Sequence, residues 1–397
     1  MNLLPILSPL LVFGLVVFVH ELGHFLAAKA VGIYAPVFSL GWGRRIWGRR
    51  RGETDYRLSM FPIGGYVRMA SREDEAMAAF EGGGDRGTLA EDAAKPQGEP
   101  GVPWDPAALV PFGPKPVPQD RWFESKPLWA KLVVMLAGVT MNFLLAILVI
   151  TALRMTAGVA APSPVVGSIL PGTPAERAGL LPGDSILSIA GKPIARWRDL
   201  VGVTTTQANV PLPIAVIRNG APVTITVTPV ATVDTNPETG AVTTLGRIGA
   251  GGSRLRLGPV DALVGGVEGT WDIVVATIDV LGGLLTGKVS PTQLGGPLMI
   301  AQASVQTAQA GGFEAVLGLL ALISVNIAVL NLLPVPVLDG GQVILAVLES
   351  VRGRPLGERA KGIVMYAGVG LVLLLLVTTT FNDLARIGSQ LLGHFRG

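Results

Sequence analysis

Four stretches of the chain stay apolar for close to the roughly 20 residues needed to cross about 30 Å of hydrocarbon: 3–29, 130–154, 314–335 and 362–381. A further apolar stretch, 260–286, is broken by Asp261, Glu268, Asp272 and Asp279 and by Gly265, Gly266 and Gly269, so it is expected to lie at the interface or on the bundle rather than to span. Between the first two spans, "DYRLSMFPIGGYVRM" alternates as a β-ribbon does, over 55–69, with a turn expected at Gly64 and Gly65. The following segment, 71–120, is rich in Gly, Pro, Ala and acids and is expected to be flexible. From about 160 to 250, short β-branched runs alternate with Pro-Gly and Gly-Asp turns, with a short helix near 175–178. Within it, "LPIAVIRNGAPVTITVTPV" reads as two strands joined at Asn219-Gly220.

The pattern predicts a polytopic α-helical membrane protein with four transmembrane helices, one inserted α+β domain and a membrane-associated β-ribbon. Its divisions are a first span (1–31), a loop carrying the ribbon (32–127), a second span (128–156), the inserted domain (160–250), amphipathic helices (251–312), a third span (313–341), a short helix or loop (342–361), a fourth span (362–384) and a tail (385–397). The N-terminal stretch lacks a basic leader and a convincing cleavage site, and is read as a retained span rather than a signal peptide.

Composition sharpens this. Charged residues make up 15% and hydrophobic ones 49%, against about 25% charged in average soluble domains, which favours an integral membrane protein. A formal charge of +3, without a basic stripe interleaved with aromatics, argues against nucleic-acid binding. Basic residues gather at Arg44, Arg45, Arg49, Arg50 and Arg51, at Lys126 and Lys131, and at Arg352, Arg354, Arg359 and Lys361. By the positive-inside rule those loops are expected in the cytoplasm, with the N-terminus, the 155–310 region and the C-terminus on the other side.

Inside the first span lies "HELGH", His20 to His24. On a helix, residues four apart share a face, so His20 and His24 can converge on one ion with Glu21 beside them, the H-E-x-x-H arrangement of zinc hydrolases. Three ionisable groups in a span without a ligand would carry a large penalty, which metal binding relieves. The chain has three histidines and no cysteine, so a third ligand is expected from a carboxylate near another span. The candidate is Asp339 in "NLLPVPVLDGG", where Pro334 and Pro336 break the third helix. Taken alone, Asp339 reads equally as a ligand or as a cap for the helix that follows.

Together, HELGH in a first span and N-x-x-P-x-x-x-L-D-G at Asn331, Pro334, Leu338, Asp339 and Gly340 resemble the site-2 protease family of intramembrane zinc metalloproteases. The stretch from Thr173 to Asp184 resembles the PDZ domains of bacterial proteases, which bind extended peptides along a sheet edge. The resemblance implies one catalytic Zn²⁺ held by His20, His24 and Asp339, with Glu21 as the base. It places Asn331 at the cleft holding substrate backbone, and makes the ribbon at Gly64 and Gly65 the element that presents an extended substrate. The implied substrates are single-span membrane proteins such as anti-sigma factors or signal-peptide remnants. The setting is a bacterial inner membrane, with the active site toward the cytoplasm and the PDZ domain outside it, docking peptide segments or gating by size. Gly138 and Asn142 resemble a family pattern in the second span, though Val139 replaces its usual proline; Asn382 and Asp383 also echo the family, with no role assigned beyond ending the fourth span. Two other classes remain: a PDZ adaptor anchored in the membrane without protease activity, and a transporter using the polar residues as an ion path.

Overall fold

The computed structural model describes residues 3–71, 109–110, 115–235, 242–290 and 295–396. Most of the segment expected to be flexible lies outside them. Four helices are long and apolar enough to cross a membrane. The described chain divides into two compact units, residues 1–150 with 263–397, and residues 151–262.

In the first unit, α1 (Leu4–Ala30) has proline in its first turn, where a missing N–H costs nothing, and ends at Val31 and Gly32, the latter with φ 75°. The ribbon follows as β1 (Val37–Arg51) and β2 (Thr54–Arg68). It is larger than expected, and its turn falls at Gly52 and Glu53 rather than at Gly64 and Gly65. Arg51 stands opposite Thr54 and Arg49 opposite Tyr56, whereas Gly64, with φ +85°, bends the returning strand. That bend brings Gly65–Arg68 back beside Leu40–Val37, in the pairs Leu40 with Gly65 and Phe38 with Val67. The 37–40 stretch is thus held from both sides, since Asp55 to Leu58 stand opposite it on its other edge. Phe25 of α1 packs with Phe38 and Val67 in a small buried core.

Glu53, at the ribbon's turn, bonds Lys29 Nζ at 2.5 Å and Arg121 through two nitrogens at 2.7 and 2.8 Å. It therefore ties the end of α1 to the chain entering α2 (Leu128–Thr156). The Arg121 guanidinium, followed by Lys29, holds the Glu53 carboxyl down at about 2.

The second unit has its own core of Val166, Leu180, Ile186, Ile189, Leu200, Ile214 and Val216 among others. It contains β3 (Val166–Ile169), α3 (Pro174–Arg177), β4 (Ser185–Ile189), α4 (Trp197–Thr206), β5 (Leu212–Arg218) and β6 (Ala221–Val227). β6, β5 and β4 lie side by side in one sheet, extended by a short strand at Lys192–Pro193. The hairpin expected at Asn219-Gly220 is present, with both residues at positive φ as a type I′ turn requires. Arg218 clamps Asp184 through two bonds of 2.7 and 2.8 Å, and this ion pair lowers the pKa of the buried Asp184 carboxyl.

Back in the first unit, α5 runs through Pro259–Leu285 and is not among the helices apolar enough to span. It is joined to α6 (Pro297–Asn331) by a bond from Thr277 Oγ1 to Asn326 Oδ1 of 2.7 Å. Gly312, at φ 63° and ψ −154°, interrupts α6 close to the expected start of the third span. α6 stops at Asn331, α7 covers Asp339–Arg352, and α8 covers Glu358–Arg396.

The helix that carries the fourth span does not end at Asn382 and Asp383. α8 continues past them, and the buried Asp383 carboxylate accepts the N–H groups of Gly296 (3.1 Å) and Met299 (2.9 Å), capping the first turn of α6. Those amides have no partner within their own helix, and the dipole there favours an anion.

Candidate metal centre

Helical spacing in α1 puts His20 and His24 on one buried face, 7% and 9% exposed. The break after Asn331 carries the chain back to them. Gly340 and Gly341 accept the tight return, for a Cβ on Gly340 would meet Leu332 and Leu333 carbonyls and one on Gly341 the Val335 carbonyl. Gln342 Nε2 donates to Pro336 O at 2.8 Å, and the loop rests against Gly368 of α8, whose Cβ would lie 3.0 Å from Val337 Cγ2.

Asp339 consequently opens α7 with its carboxylate on the histidines. Its oxygens lie 3.3 Å from His20 Nε2 and 3.6 Å from His24 Nε2, and the two imidazole nitrogens are 3.1 Å apart. Leu338, which precedes the helix, makes no side-chain capping bond, and the Asp339 carboxylate is turned toward the two imidazoles. Ligands at about 2.0–2.1 Å around a tetrahedral zinc are separated by roughly 3.3–3.4 Å, and the three observed separations bracket that spacing. The donor set, two imidazoles and a carboxylate with one buried oxygen lacking a hydrogen bond, fits a catalytic zinc with a fourth position open.

Supporting contacts come from a stripe on α2 at four-residue intervals. The Val134 carbonyl accepts from His24 Nδ1 at 2.8 Å, which fixes the proton there and leaves the Nε2 lone pair for a metal. Gly138 lies against both rings: its Cβ would meet His24 Nε2, and His20 Cε1 and Nε2 at 2.8 Å. Asn142, fully buried, has its amide nitrogen 3.4 Å from His20 Nδ1 while its Oδ1 is buried without a partner. A half-turn of the amide puts Oδ1 against His20 Nδ1–H, the pairing compatible with Nε2 as a ligand. Sequence pattern marked Gly138 and Asn142 but assigned them no role; their partners lie more than a hundred residues away in the chain.

Glu21 is half-buried and faces the ribbon. A Cβ on Gly65 would lie 3.7 Å from its Cγ. Gly64 sits under Trp42, its Cβ position 3.0 Å from the indole nitrogen. Among the described residues no strand covers the outer edge of Gly65–Arg68. Asn331 is the last residue of α6 and is half-buried. An open apolar groove of about 430 Å³ on the seam of α1 and α2, lined by Gly23, Leu26, Val133, Ala137 and Met141, contains none of the ligand atoms.

A membrane helix bundle with an H-E-x-x-H helix facing a distant aspartate defines a class of integral-membrane metallopeptidase. The chain belongs to peptidase family M50, the site-2 proteases, whose model matches residues 8–375, and it is a zinc metalloprotease of that type. Over 384 residues it is 36% identical to a Rhizobium meliloti protein provisionally named a zinc metalloprotease, covering 94% of this chain and 95% of that one. It is 33% identical over 402 residues to the metalloprotease MmpA of Caulobacter vibrioides (97% and 96% covered). With the regulator of sigma-W protease RasP of Bacillus subtilis it shares 30% over 429 residues (96% and 98% covered). The adaptor and transport readings give way to this membership.

Proposed function

We propose that the protein hydrolyses a peptide bond within or near the transmembrane segment of single-span membrane proteins, with His20, His24 and Asp339 as zinc ligands and Glu21 as the catalytic base. The observation that carries this is the convergence of His20, His24 and Asp339 at zinc-like spacing, with Glu21 between them and an open strand edge. Zinc bound there supplies Lewis acidity, activating water near neutral pH and stabilising negative charge on the scissile carbonyl oxygen.

The chain's own residues do the rest. A bond inside a helix is screened by its neighbours, so the substrate must unwind and find new backbone partners. The outer edge of Gly65–Arg68 offers them, adding substrate as a strand beside Glu21. Gly64 provides the bend, and Gly65 lets the edge approach the carboxylate without an intervening side chain. Asn331 holds substrate backbone from the opposite element. Glu21 takes a proton from the attacking water and returns it to the leaving nitrogen, so each turnover consumes one water and regenerates the carboxylate. Val134 and Asn142 keep both imidazoles aligned throughout.

The 160–250 domain acts as a PDZ module that docks peptide segments or passes only substrates already shortened outside the membrane. Charge bias supports a cytoplasmic position for the ribbon loop and an extracytoplasmic one for this domain, in a bacterial inner membrane. The relative named for sigma-W regulation suggests anti-sigma-factor-like substrates. The test is purified Glu21→Gln, expected to retain zinc and lose cleavage of a single-span reporter. Retained turnover rejects the base assignment, and stoichiometric zinc in Asp339→Asn rejects the ligand set.

A further inference from the structure

Serine and threonine hydroxyls inside helices commonly satisfy themselves locally, by bonding the carbonyl four residues earlier. The long helices here follow that habit. Thr140 bonds the Leu136 carbonyl, Thr270 that of Gly266, Ser304 that of Ile300 and Thr378 that of Leu374. Ser324 of α6 departs from it. Its Oγ donates to the backbone carbonyl of Asn142 on α2 at 2.8 Å, across 182 residues of sequence, and both residues are 0% exposed. A helix carbonyl has a second lone pair, so Asn142 can accept this bond beside its own ladder bond.

The hydroxyl grips α2 at the turn whose side chain meets His20 Nδ1. On α6, Ser324, Ala328 and Asn331 follow at i, i+4 and i+7 and share one face. The helix ends at Asn331, about 10 Å beyond Ser324, and the loop to Asp339 begins there. α1, which carries both imidazoles, packs along the same α6. In a bilayer, apolar burial does not set the depth of one helix beside another, whereas a directed hydrogen bond does. A slip of α2 along α6 by one residue moves the Asn142 amide by about 1.5 Å, enough to break a hydrogen bond of ordinary length.

We propose that Ser324 is a positioning residue of the metal centre. It fixes the depth of α2 beside α6, so that the Asn142 amide meets His20 while the carboxylate delivered by α6 meets both imidazoles. Ser324 itself touches neither metal nor substrate, and it lies outside both sequence motifs. This role presupposes His20, His24 and Asp339 as the zinc ligands.

The test uses full-length protein in detergent, stripped of metal and loaded with Co²⁺, whose visible ligand-field bands follow the geometry of its ligands. Ser324→Ala is expected to change the position and intensity of those bands and to weaken Zn²⁺ binding, read by competition with a chelator, about tenfold. Ser324→Thr, which keeps a hydroxyl, should restore both more fully than Ser324→Val, which has the same shape without one. Ser304→Ala removes an equally buried hydroxyl from the same helix and should match the parent, which separates an effect on the centre from a general loss of packing. A spectrum unaltered by Asp339→Asn overturns the ligand set and the positioning role with it. A spectrum altered by Asp339→Asn but not by Ser324→Ala overturns the positioning role alone, as do equal losses in Ser324→Ala and Ser304→Ala. Should Ser324→Ala fail to fold, identical spectra and Zn²⁺ affinities in the threonine and valine variants overturn it.

Discussion

Replacing Gly138 with alanine puts a single methyl group into the metal centre. Its Cβ falls 2.8 Å from His20 Cε1 and Nε2 and closer still to His24 Nε2. Carbon contacts relax at about 3.5–4.0 Å, so the rings must retreat by roughly 1 Å. His24 cannot do so freely, because its other nitrogen is bonded to Val134 one turn earlier on the same helix. Metal ligands tolerate about 0.2 Å of error, and loss of ligand orientation costs roughly 10- to 100-fold in affinity. Any zinc that remains would be misplaced by about 1 Å, enough for a further hundredfold in turnover. The assay compares zinc content after equilibration in a metal buffer, helical content by circular dichroism, and cleavage of a single-span reporter. Gly318→Ala serves as the control, since its Cβ meets nothing within 4 Å. It should match the parent in all three. A Gly138→Ala protein with parental zinc affinity would show that the imidazoles do not occupy this place in the working enzyme.

Asn142→Leu should weaken zinc binding about 10- to 100-fold by removing the partner of His20 Nδ1, whereas Asn142→Asp, which keeps an acceptor, should stay nearer the parent; equal losses in a zinc titration would reject the orienting role. For Glu53, the carboxyl is lowered from 4.5 to about 2 on folding, so its stabilisation is complete above pH 4.5 and is lost as pH falls through about 2. Melting curves of Glu53→Gln should therefore lack the parent's acid sensitivity in that window, with a neutral-pH cost of only about 1 kcal/mol because the cluster is partly exposed; an unchanged acid profile would remove Glu53 from the anchoring of the ribbon. Asp383→Ala leaves two amides of α6 unpaired and should cost about 1–3 kcal/mol, read as a lowered melting temperature, with Asp383→Asn recovering part of it; an unaltered melt would count against the cap.

The chain announces what depends on local spacing. Helix length and apolarity mark the spans, four-residue spacing pairs the histidines, and Asn219-Gly220 demands its turn type. Where a residue's partner is remote, the pattern is silent. Asp383 reads as the end of a span because its partners, Gly296 and Met299, are more than eighty residues earlier. Asn142 reads as an isolated amide for the same reason. The first ribbon strand was hidden differently: "GWGRRIWGRRR" has neither alternation nor a breaker-free core, and its large apolar residues Ile46 and Trp47 stay exposed. Gly64 then looked like the turn, although its positive φ serves a bend within the strand.

Lipid tails are as apolar as leucine, so burial alone does not press membrane helices together; close approach through small residues does. The glycines around this site follow that requirement. Gly23 admits the Ala137 carbonyl of α2 against α1, Gly138 admits the two rings, Gly340 and Gly341 admit the returning loop, and Gly65 admits the Ser39 carbonyl of the neighbouring strand. Each marks a seam where a polar group must be held within hydrogen-bonding or ligand distance of another element. A larger side chain at any of them would open the seam by about 1 Å or more, and water or lipid would replace the designed partner. The catalytic groups supply the chemistry, but the missing side chains decide whether those groups meet.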